Sequence, residues 1–465
     1  MWCEMVEMDH LSEGERSRII SDAEQRCLEI AKEIEGIKSE IDQELDEDKP
    51  DAAYIEELGR KVDLLKELER IERPEIKLAA MEILMLGDPI QYMIDTCKRR
   101  VLGADQGLRK VICCVSIQNV LQSMGLHPKF SGGSGDGKTL MLVVFADLLP
   151  VDAVVFGSAS NMSVFYHNDG DRILRISDDY RAGNEAFDTI IKQTSSVFHR
   201  PYKHRTVKNQ APIVLEIGSE QTWAITSVDS SQDIQVLNRQ LPINVDGSAE
   251  TTALVNAATI ERYGKGEVQF TVDEQVLVCR AIWQILRDEG YINVRIPFHD
   301  RIRWHDNSNR RNPSLFMDLV IAHTAMYRYQ REQDADGFYL ATEADFCSAR
   351  NMFADDKDAQ EFVSRLTGKE REVCDILVSS PHGLSREEIG KRLNPPVSPQ
   401  RVGQILHGES GNGGLMQKVA IETEEISESV RIDDTHSKTQ RRTLHKLSSF
   451  NKLGVGSIVT LVPKG

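Results

Sequence analysis

The stretch FSGGSGDGKTLMLVV, residues 130–144, carries the residue types of a phosphate-binding loop. It fits the spacing G-x-x-x-x-G-K-[ST], in which a glycine-rich loop opens a helix. The glycines let the backbone curl around phosphates, the lysine reaches the β and γ oxygens, and the threonine can hold Mg²⁺. The candidate nucleotide-binding residues are Gly132, Gly133, Ser134, Gly135, Asp136, Gly137, Lys138 and Thr139. The alternative is a glycine turn that binds no ligand.

A second set of candidate residues is acidic. Asp178 and Asp179 follow the alternating apolar residues Ile173, Leu174 and Ile176, which predict a strand. At the end of such a strand, one carboxylate, here that of Asp178, can bind Mg²⁺, and the next can polarise an attacking water. Most ATPases with such a phosphate-binding loop carry Asp-Glu at this point. The side chain of Asp179 is therefore one methylene shorter than the usual glutamate. Paired acids at a strand end are otherwise typical of a turn or of a helix N-cap.

The next predicted strand is TWAITSVDS, residues 222–230, and it also ends in hydroxyl groups. The following segment, SQDIQVLNRQLPINVD, is predicted to form a short helix with Arg239 near its end. In ring-forming ATPases a polar residue at this point, here Thr226 or Ser227, senses the γ-phosphate. The arginine then enters the neighbouring subunit's site and stabilises transition-state charge. The alternative for Arg239 is an ordinary surface position.

The order of these motifs resembles that of AAA+ ATPases, in the branch that contains minichromosome maintenance helicases and superfamily 3 viral helicases. The resemblance covers about residues 88–360 and implies an α/β P-loop core that uses ATP and Mg²⁺. It also implies a β-hairpin that projects into a ring channel and grips DNA. The segment KHRTV-KNQ-APIVLEI lies at that position, and its basic residues are Lys203, His204, Arg205 and Lys208. The alternative is an ordinary hairpin with exposed basic residues.

Downstream, residues 273–353 look like the helical lid of a minichromosome maintenance ATPase. The segment that enters the lid helix contains Arg310 and Arg311, and the resemblance implies that one of them is the second sensor. LATEADFCSARNMF is similar to the closing T-x-x-D-F/V-x-x-A helix of that family. Two features depart from the family: Val228 lies near the place of the usual first-sensor asparagine, and a zinc-bearing N-terminal domain is missing.

The last hundred residues predict a winged helix-turn-helix. Three short helices are followed by two β-rich stretches, LMQKVAIET and GSIVTLVPK. The third helix would enter a major groove by Ser398, Gln400 and Arg401. Residues 366–465 hold 14 Lys/Arg against 12 Asp/Glu, a balance of +2 that is weak for binding phosphates. Docking of a protein by this domain therefore stays open.

The first 86 residues predict an acidic helical hairpin. Ile30, Ile34 and Ile37 recur at three- and four-residue steps, and after the turn DEDKPD the pattern resumes at Leu58 and Val62. This segment holds 25 Asp/Glu against 12 Lys/Arg, a balance of −13 within a net charge of −17. Its surface could bind a protein partner or mediate dimerisation, or it could be a solvated coiled-coil arm.

Composition bounds the class of protein. A chain of 465 residues is long enough for about three domains. No run of 18 apolar residues is present, and the acidic N-terminus lacks the basic region of a signal peptide, so we expect a cytoplasmic protein without membrane contact. The eight cysteines form no CxxC pair and are interpreted as reduced packing residues.

Together these patterns predict four segments: an N-terminal helical hairpin (1–86), an AAA+ P-loop ATPase core (87–260), a helical lid (261–360) and a winged helix-turn-helix (366–465). The predicted function is an ATP-driven DNA helicase or translocase. It would act as a homo-oligomeric ring, with a hexamer as the expected size, in replication of a prokaryotic or mobile-element replicon. The alternative is an ATP-dependent replication initiator or a DNA-binding regulatory switch. A protein remodeller fits less well, because no aromatic-hydrophobic-Gly pore loop is visible.

Overall fold

The computed structural model describes residues 11–47, 49–132, 135, 137–156, 170–178, 185–208, 211–227, 239–245, 248–266, 272–304, 310–353, 368–378, 380, 383–409, 412–413, 415–418, 421–431, 437–447 and 459–462. The chain divides into two compact units. The first comprises residues 1–297 and 317–345, and the second comprises residues 298–316 and 346–465. Within the described ranges, no helix combines the length and the apolar content needed to span a bilayer.

The described α-helices are α1 (Glu13–Leu45), α2 (Ala52–Ile71), α3 (Pro74–Leu86), α4 (Pro89–Lys98), α5 (Asp105–Ser116), α6 (Lys138–Ala146), α7 (Glu185–Ser196), α8 (Ala249–Lys265), α9 (Glu274–Asp288), α10 (Asn312–Met326), α11 (Glu343–Phe353), α12 (Gly368–Val378), α13 (Arg386–Arg392), α14 (Pro399–His407) and α15 (Leu415–Lys418). The described strands are β1 (Pro128–Ser131), β2 (Val154–Phe156), β3 (Leu174–Ser177), β4 (Tyr202–Lys208), β5 (Ala211–Ile217), β6 (Thr222–Ser227), β7 (Leu241–Asn244), β8 (Val294–Arg295), β9 (Ile302–Trp304), β10 (Tyr339–Leu340), β11 (Leu384–Ser385), β12 (Gly408–Glu409), β13 (Asn412–Gly413), β14 (Ile421–Arg431), β15 (Ser437–Leu447) and β16 (Val459–Leu461).

The first unit is built on a parallel sheet of five strands in the order β2-β3-β6-β1-β7. Phe130, Leu174 and Ile225 are completely buried, as expected for strands covered on both faces. All five strands run in the same direction, so their carboxyl ends share one edge of the sheet. The predicted helix over residues 231–246 is wrong at its end, because Leu241–Asn244 is strand β7 and pairs with β1.

The hairpin of β4 and β5 lies in the chain between β3 and β6. The two strands pair antiparallel from Tyr202 opposite Ile217 to Lys208 opposite Ala211. At its base, Tyr202 and Leu215 pack against a buried cluster that includes Trp223 and Ile225 of β6. The hairpin is therefore anchored on the central sheet by apolar side chains of both of its strands and of β6.

The N-terminal helices α1 and α2 form an antiparallel pair. Ser12 and Glu15 make a capping box at the start of α1, and Asp51 caps α2. Contacts between the helices join residues whose numbers have a nearly constant sum: Lys61 pairs with Glu33, Tyr54 bonds Glu40, and the Asp51 amide bonds Glu44. Buried Ile30, Ile34, Ile37, Leu58 and Val62 form the seam, as the sequence pattern predicts.

This helical pair is docked on the rest of the first unit. The side chains of Glu67 in α2 and Arg280 in α9 form an ion pair, and they are only 13% and 7% exposed. The Arg280 Nε also donates to the carbonyl oxygen of Asp147, at 2.8 Å, directly after α6. Helix α3 buries Ile76 and Leu84 completely. The N-terminal segment is thus packed against the helices around the sheet instead of being solvated along its whole length.

The second unit has two parts to its core. Val373, Leu377, Ile389, Val402 and Leu406 of helices α12, α13 and α14 form one cluster. An aromatic cluster of Phe298, Trp304, Phe316, Phe346 and Phe353 forms the other. The predicted lid, residues 261–360, is therefore divided between the two compact units, because the aromatic cluster holds residues 298–316 together with residues 346–353.

The β-ribbon of the second unit also differs from the prediction. Strands β14 and β15 pair with each other over eleven residues, and β11 joins β15. The predicted β-rich stretch GSIVTLVPK contains β16, which pairs antiparallel with β9. Apolar alternation identifies such a strand but not its partner, so the sequence did not predict this pairing.

Candidate nucleotide-binding site

The glycine-rich loop joins β1 to α6, as the motif requires. Gly137 directly precedes α6 and has φ of +85°, and Gly135 has φ of +90°. Only glycine adopts this left-handed backbone without strain. A Cβ atom at either glycine would meet no other heavy atom within 4 Å, so the backbone conformation, and not crowding, demands glycine here. Gly133, Ser134 and Asp136 lie outside the described residues.

Lys138 is the first residue of α6, and its side chain is directed back over the loop. The Nζ atom donates to the carbonyl oxygen of Gly132 at 3.0 Å, and Lys138 is only 7% exposed. Its ammonium group therefore lies within the loop at the amino end of a helix, where free backbone N–H groups and the helix dipole also favour an anion. The arrangement has the chemistry of a phosphate cradle.

Three polar side chains from three neighbouring elements meet beside this loop. The Thr139 hydroxyl donates to Oδ1 of Asp178 at 2.8 Å, and the Thr226 hydroxyl donates to the same oxygen at 2.6 Å. The sheet order explains this convergence, because β6 lies between β1 and β3 and brings its carboxyl end between theirs. Hydroxyl and carboxylate oxygens are the ligands that Mg²⁺ prefers, so Thr139 and Asp178 fit the predicted metal.

The structure describes less of the other residues predicted to orient the attacking water or to sense the γ-phosphate. Asp179 lies outside the described residues. Ser227 ends β6 opposite Ser131 of β1, but the structure does not describe its side chain. Of the two sensor candidates, Thr226 is the one whose hydroxyl is seen to contact Asp178, and it is only 1% exposed.

A cavity of about 560 Å³ adjoins the loop at Gly135 and Gly137. Its wall is formed by residues 98–104 and by helix α8. The basic residues that line it are Lys98, Arg99, Arg100, Arg262 and Lys265. Helix α8 adds the polar side chains of Thr251, Thr252, Asn256 and Thr259. Apolar residues such as Leu102, Leu140 and Val255 and the acidic Glu261, which pairs with Lys265, also line the cavity, so its wall next to the phosphate cradle is of mixed character.

Sequence reasoning missed these lining residues. They come from two segments about 150 residues apart, and neither segment has a spacing that matches a motif. Several of the cations also have carboxylate partners: Arg99 pairs with Asp273, and Arg100 pairs with Asp147. The one available signal was the short basic run KRR at residues 98–100, which charge patterning alone does not distinguish from a solvated helix end.

Arg239 lies at the opposite edge of the sheet from the glycine-rich loop. It lies two residues before β7, whereas the loop follows the carboxyl end of the parallel strand β1. Its guanidinium donates to the hydroxyl of Ser196 at 3.2 Å. Burial, aided by the charge of Arg239, lowers the pKa of His127 to about 3. Four strand residues span about 13 Å, so Arg239 does not reach the phosphate cradle of its own chain.

Arg310 and Arg311 are exposed residues directly before α10, and they belong to the second compact unit. The glycine-rich loop belongs to the first unit. Their role as second sensor stays a prediction.

The basic residues of the β4–β5 hairpin do not share one surface. Lys203 and Arg205 alternate with His204 along β4, so Lys203 and Arg205 are exposed on one face. Lys203 forms an ion pair with Glu216 at 3.1 Å, near the base of the hairpin. Lys208 is the last residue of β4 and pairs with Ala211, but its side chain is not described. The tip position of Lys208 thus agrees with the sequence pattern, and DNA binding there stays a prediction.

The three candidate residues of the C-terminal unit lie at the start of α14. Ser398 is the N-cap, and its hydroxyl accepts from the amide of Arg401 at 3.2 Å. Gln400 and Arg401 are exposed, and the Arg401 guanidinium donates to Gln404 at 2.9 Å. Ser398 is therefore engaged with the backbone, and Gln400 and Arg401 are exposed side chains at this end of the helix.

Comparison with known families supports a nucleotide site. Residues 75–289 match the family model described as the MTBMA_p00010 P-loop domain. The matched region begins in α3, ends just after α9 and contains all five strands of the parallel sheet. A search of curated proteins found no match. The chain thus carries a P-loop domain, a type of domain that binds and hydrolyses nucleoside triphosphates, usually with Mg²⁺.

Proposed function

We propose that this protein is an ATP-driven DNA helicase or translocase that works as a homo-oligomeric ring in replication. The observation that carries the ATPase part is the convergence of Thr139, Asp178 and Thr226 beside the buried ammonium of Lys138. The proposed action on DNA rests on the position of the β4–β5 hairpin and on the C-terminal helices. It is more specific than the proposed hydrolysis of ATP.

Each residue of the site has a defined task in ATP hydrolysis. Lys138 and the amides of the loop would bind the β- and γ-phosphates. Thr139 and Asp178 would hold Mg²⁺, and the bound ion would supply positive charge next to the phosphate oxygens. Asp179 orients the attacking water. Thr226 fixes the Asp178 carboxylate from the side of β6. The cavity beside Gly135 and Gly137 is proposed to receive the base and ribose of the nucleotide.

The position of Arg239 supports the proposed ring. Its distance from the loop of its own chain supports action on a neighbouring subunit, where a guanidinium stabilises the charge of the transition state. A closed ring, with six subunits as the expected number, supplies every site with such an arginine. The same ring brings several hairpin tips around one DNA strand, so single weak contacts from Lys208 add up.

The C-terminal unit is proposed to be a winged helix-turn-helix that binds DNA through α14. Helices α12, α13 and α14 share one core and are followed by the β14–β15 ribbon. The exposed Gln400 and Arg401 at the amino end of α14 support this role. They also suit the second candidate function, an initiator or regulatory switch that binds duplex DNA and uses ATP for assembly.

One experiment separates these functions. Phosphate release from ATP is measured with and without DNA, together with strand displacement on a forked duplex, with Lys138→Ala as the inactive control. A helicase hydrolyses ATP faster with DNA and separates the fork only when Lys138 is intact. Duplex binding and ATP hydrolysis without any strand displacement would favour the initiator. Wild-type hydrolysis by Lys138→Ala would remove the whole active-site assignment.

A further inference from the structure

A buried carboxylate holds the base of the β4–β5 hairpin, at the edge of the sheet opposite the nucleotide site. Glu220 is 2% exposed, and its Oε1 lies 2.9 Å from Nδ1 of His199. Its Oε2 accepts from the hydroxyl of Tyr291 at 3.0 Å and from the hydroxyl of Ser219. Three donors thus converge on one carboxylate that has no part in the ATP site.

The contact between His199 and Glu220 ties the two ends of the hairpin together. His199 lies three residues before β4 begins, and Glu220 lies three residues after β5 ends. The amide of Glu220 also donates to the carbonyl oxygen of Phe198 at 2.7 Å. On its other side, Nε2 of His199 lies 3.1 Å from the carbonyl oxygen of Ser123. These contacts join the two ends of the hairpin to each other and to Ser123.

The backbone at this point is strained. Glu220 has φ of +52°, and Arg172, whose amide donates to the carbonyl oxygen of Ser219 at 3.0 Å, has φ of +58°. The Arg172 guanidinium lies over the ring of Tyr291, 5.4 Å from its centre. Residues other than glycine keep this conformation only where their surroundings enforce it, and such strain is concentrated at working parts of proteins.

Strand β6 connects this cluster to the ATP site. Glu220 lies two residues before β6, and Thr226 near the other end of the same strand bonds Asp178. A rigid strand of six residues spans about 20 Å. The contact with Asp178 and the base of the hairpin are therefore joined by β6 and the two residues that precede it.

We infer that Glu220, together with His199 and Tyr291, is a positioning clamp that transmits the nucleotide state of the ATP site to the DNA-contacting hairpin. This inference rests on the proposed function, because it requires that the hairpin contacts DNA. The clamp residues touch neither nucleotide nor DNA, so they act through the orientation of β4 and β5. Loss of the clamp should uncouple ATP hydrolysis from strand displacement, while the ATP site and the DNA-contacting hairpin stay intact.

The test uses the full-length protein with two clamp variants and one control. Glu220→Gln keeps the size of the side chain and removes its charge, and Tyr291→Phe removes a single hydroxyl. Tyr329→Phe is the matched control, because it breaks another hydroxyl-to-carboxylate bond, to Glu289, which is two residues before Tyr291 in the chain and is not a contact of Glu220. For each protein we would measure basal ATPase activity, DNA-stimulated ATPase activity, DNA affinity, strand displacement and thermal unfolding.

We expect both clamp variants to keep basal ATPase activity and DNA affinity within about twofold of wild type. Stimulation by DNA and strand displacement should fall at least about fivefold, and the double variant should be no worse than the more affected single variant, because both changes break one device. Tyr329→Phe should behave as wild type.

Clamp variants that respond to DNA as fully as wild type would overturn the clamp and leave the proposed function standing. Loss of basal activity in step with thermal stability, in Tyr291→Phe as well as in Glu220→Gln, would show a purely structural role and would also overturn it. A wild-type protein that hydrolyses ATP without any response to DNA would refute the proposed function, and the clamp with it.

Discussion

The hydroxyl of Thr226 gives the sharpest test of the ATP site. Thr226→Val keeps the shape of the side chain and removes the hydroxyl that donates to Oδ1 of Asp178, 2.6 Å away. The residue is 1% exposed, so water does not replace the lost bond. Asp178 should then be less well fixed when the transition state forms. We expect kcat for ATP hydrolysis to fall while KM changes little.

The size of the effect follows from the type of bond. A hydrogen bond to a charged group contributes about 1.5–3 kcal/mol. Thr139 keeps its bond to the same oxygen, so the lower half of this range applies, about 1.5–2 kcal/mol. At about 1.4 kcal/mol for each factor of ten, kcat should decrease about 10- to 30-fold.

The assay is steady-state phosphate release as a function of ATP concentration, with thermal unfolding as a check on the fold. Thr226→Ser is the matched control, because it retains the hydroxyl, and its kcat should stay within about threefold of wild type. Equal kcat values for the valine variant and wild type would refute the role of Thr226. A rise in KM alone would assign the hydroxyl to substrate binding instead.

Three further predictions concern other parts of the molecule. Mixing inactive Arg239→Ala subunits with inactive Lys138→Ala subunits should restore measurable ATPase activity. The reason is that mixed rings contain interfaces that join an intact glycine-rich loop to an intact arginine. No recovery in verified mixed rings would argue that Arg239 does not act on a neighbouring subunit. Lys208→Ala should lower DNA-stimulated ATPase activity and strand displacement together, with basal ATPase activity near wild type. DNA binding should also depend less steeply on salt concentration, because fewer phosphates are neutralised. An unchanged salt dependence and unwinding rate would show that the tip is an ordinary turn. Burial raises the pKa of Asp318 to about 7, above the value of about 4 in the unfolded chain, so the free energy of unfolding should fall as pH rises between these values. Asp318→Asn should remove this fall in denaturant unfolding at pH values near 5 and 8, and an unchanged pH dependence would contradict the burial argument.

Local chemistry determined much of the ATP site from sequence alone. The spacing of Gly132, Gly137, Lys138 and Thr139 predicts a loop that opens a helix, and the structure has Gly137 in a left-handed conformation directly before α6. The strand that ends near Asp178 and the strand that contains Thr226 were predicted from apolar patterns and are β3 and β6. These features depend on backbone preferences and side-chain spacing within a few residues, which a sequence shows directly.

Only the tertiary structure decided which of these elements are neighbours. The order β3-β6-β1 brings Thr226 against Asp178, and no local pattern specifies a strand order. Strand β7 was predicted as part of a helix, and no partner was predicted for the stretch that contains β16, because a short apolar run does not identify its pairing partner. The cavity beside the loop combines residues 98–104 with helix α8, and the clamp combines Glu220 with His199 and Tyr291. Such sites are formed by long-range packing, so their residues carry no common signal along the chain.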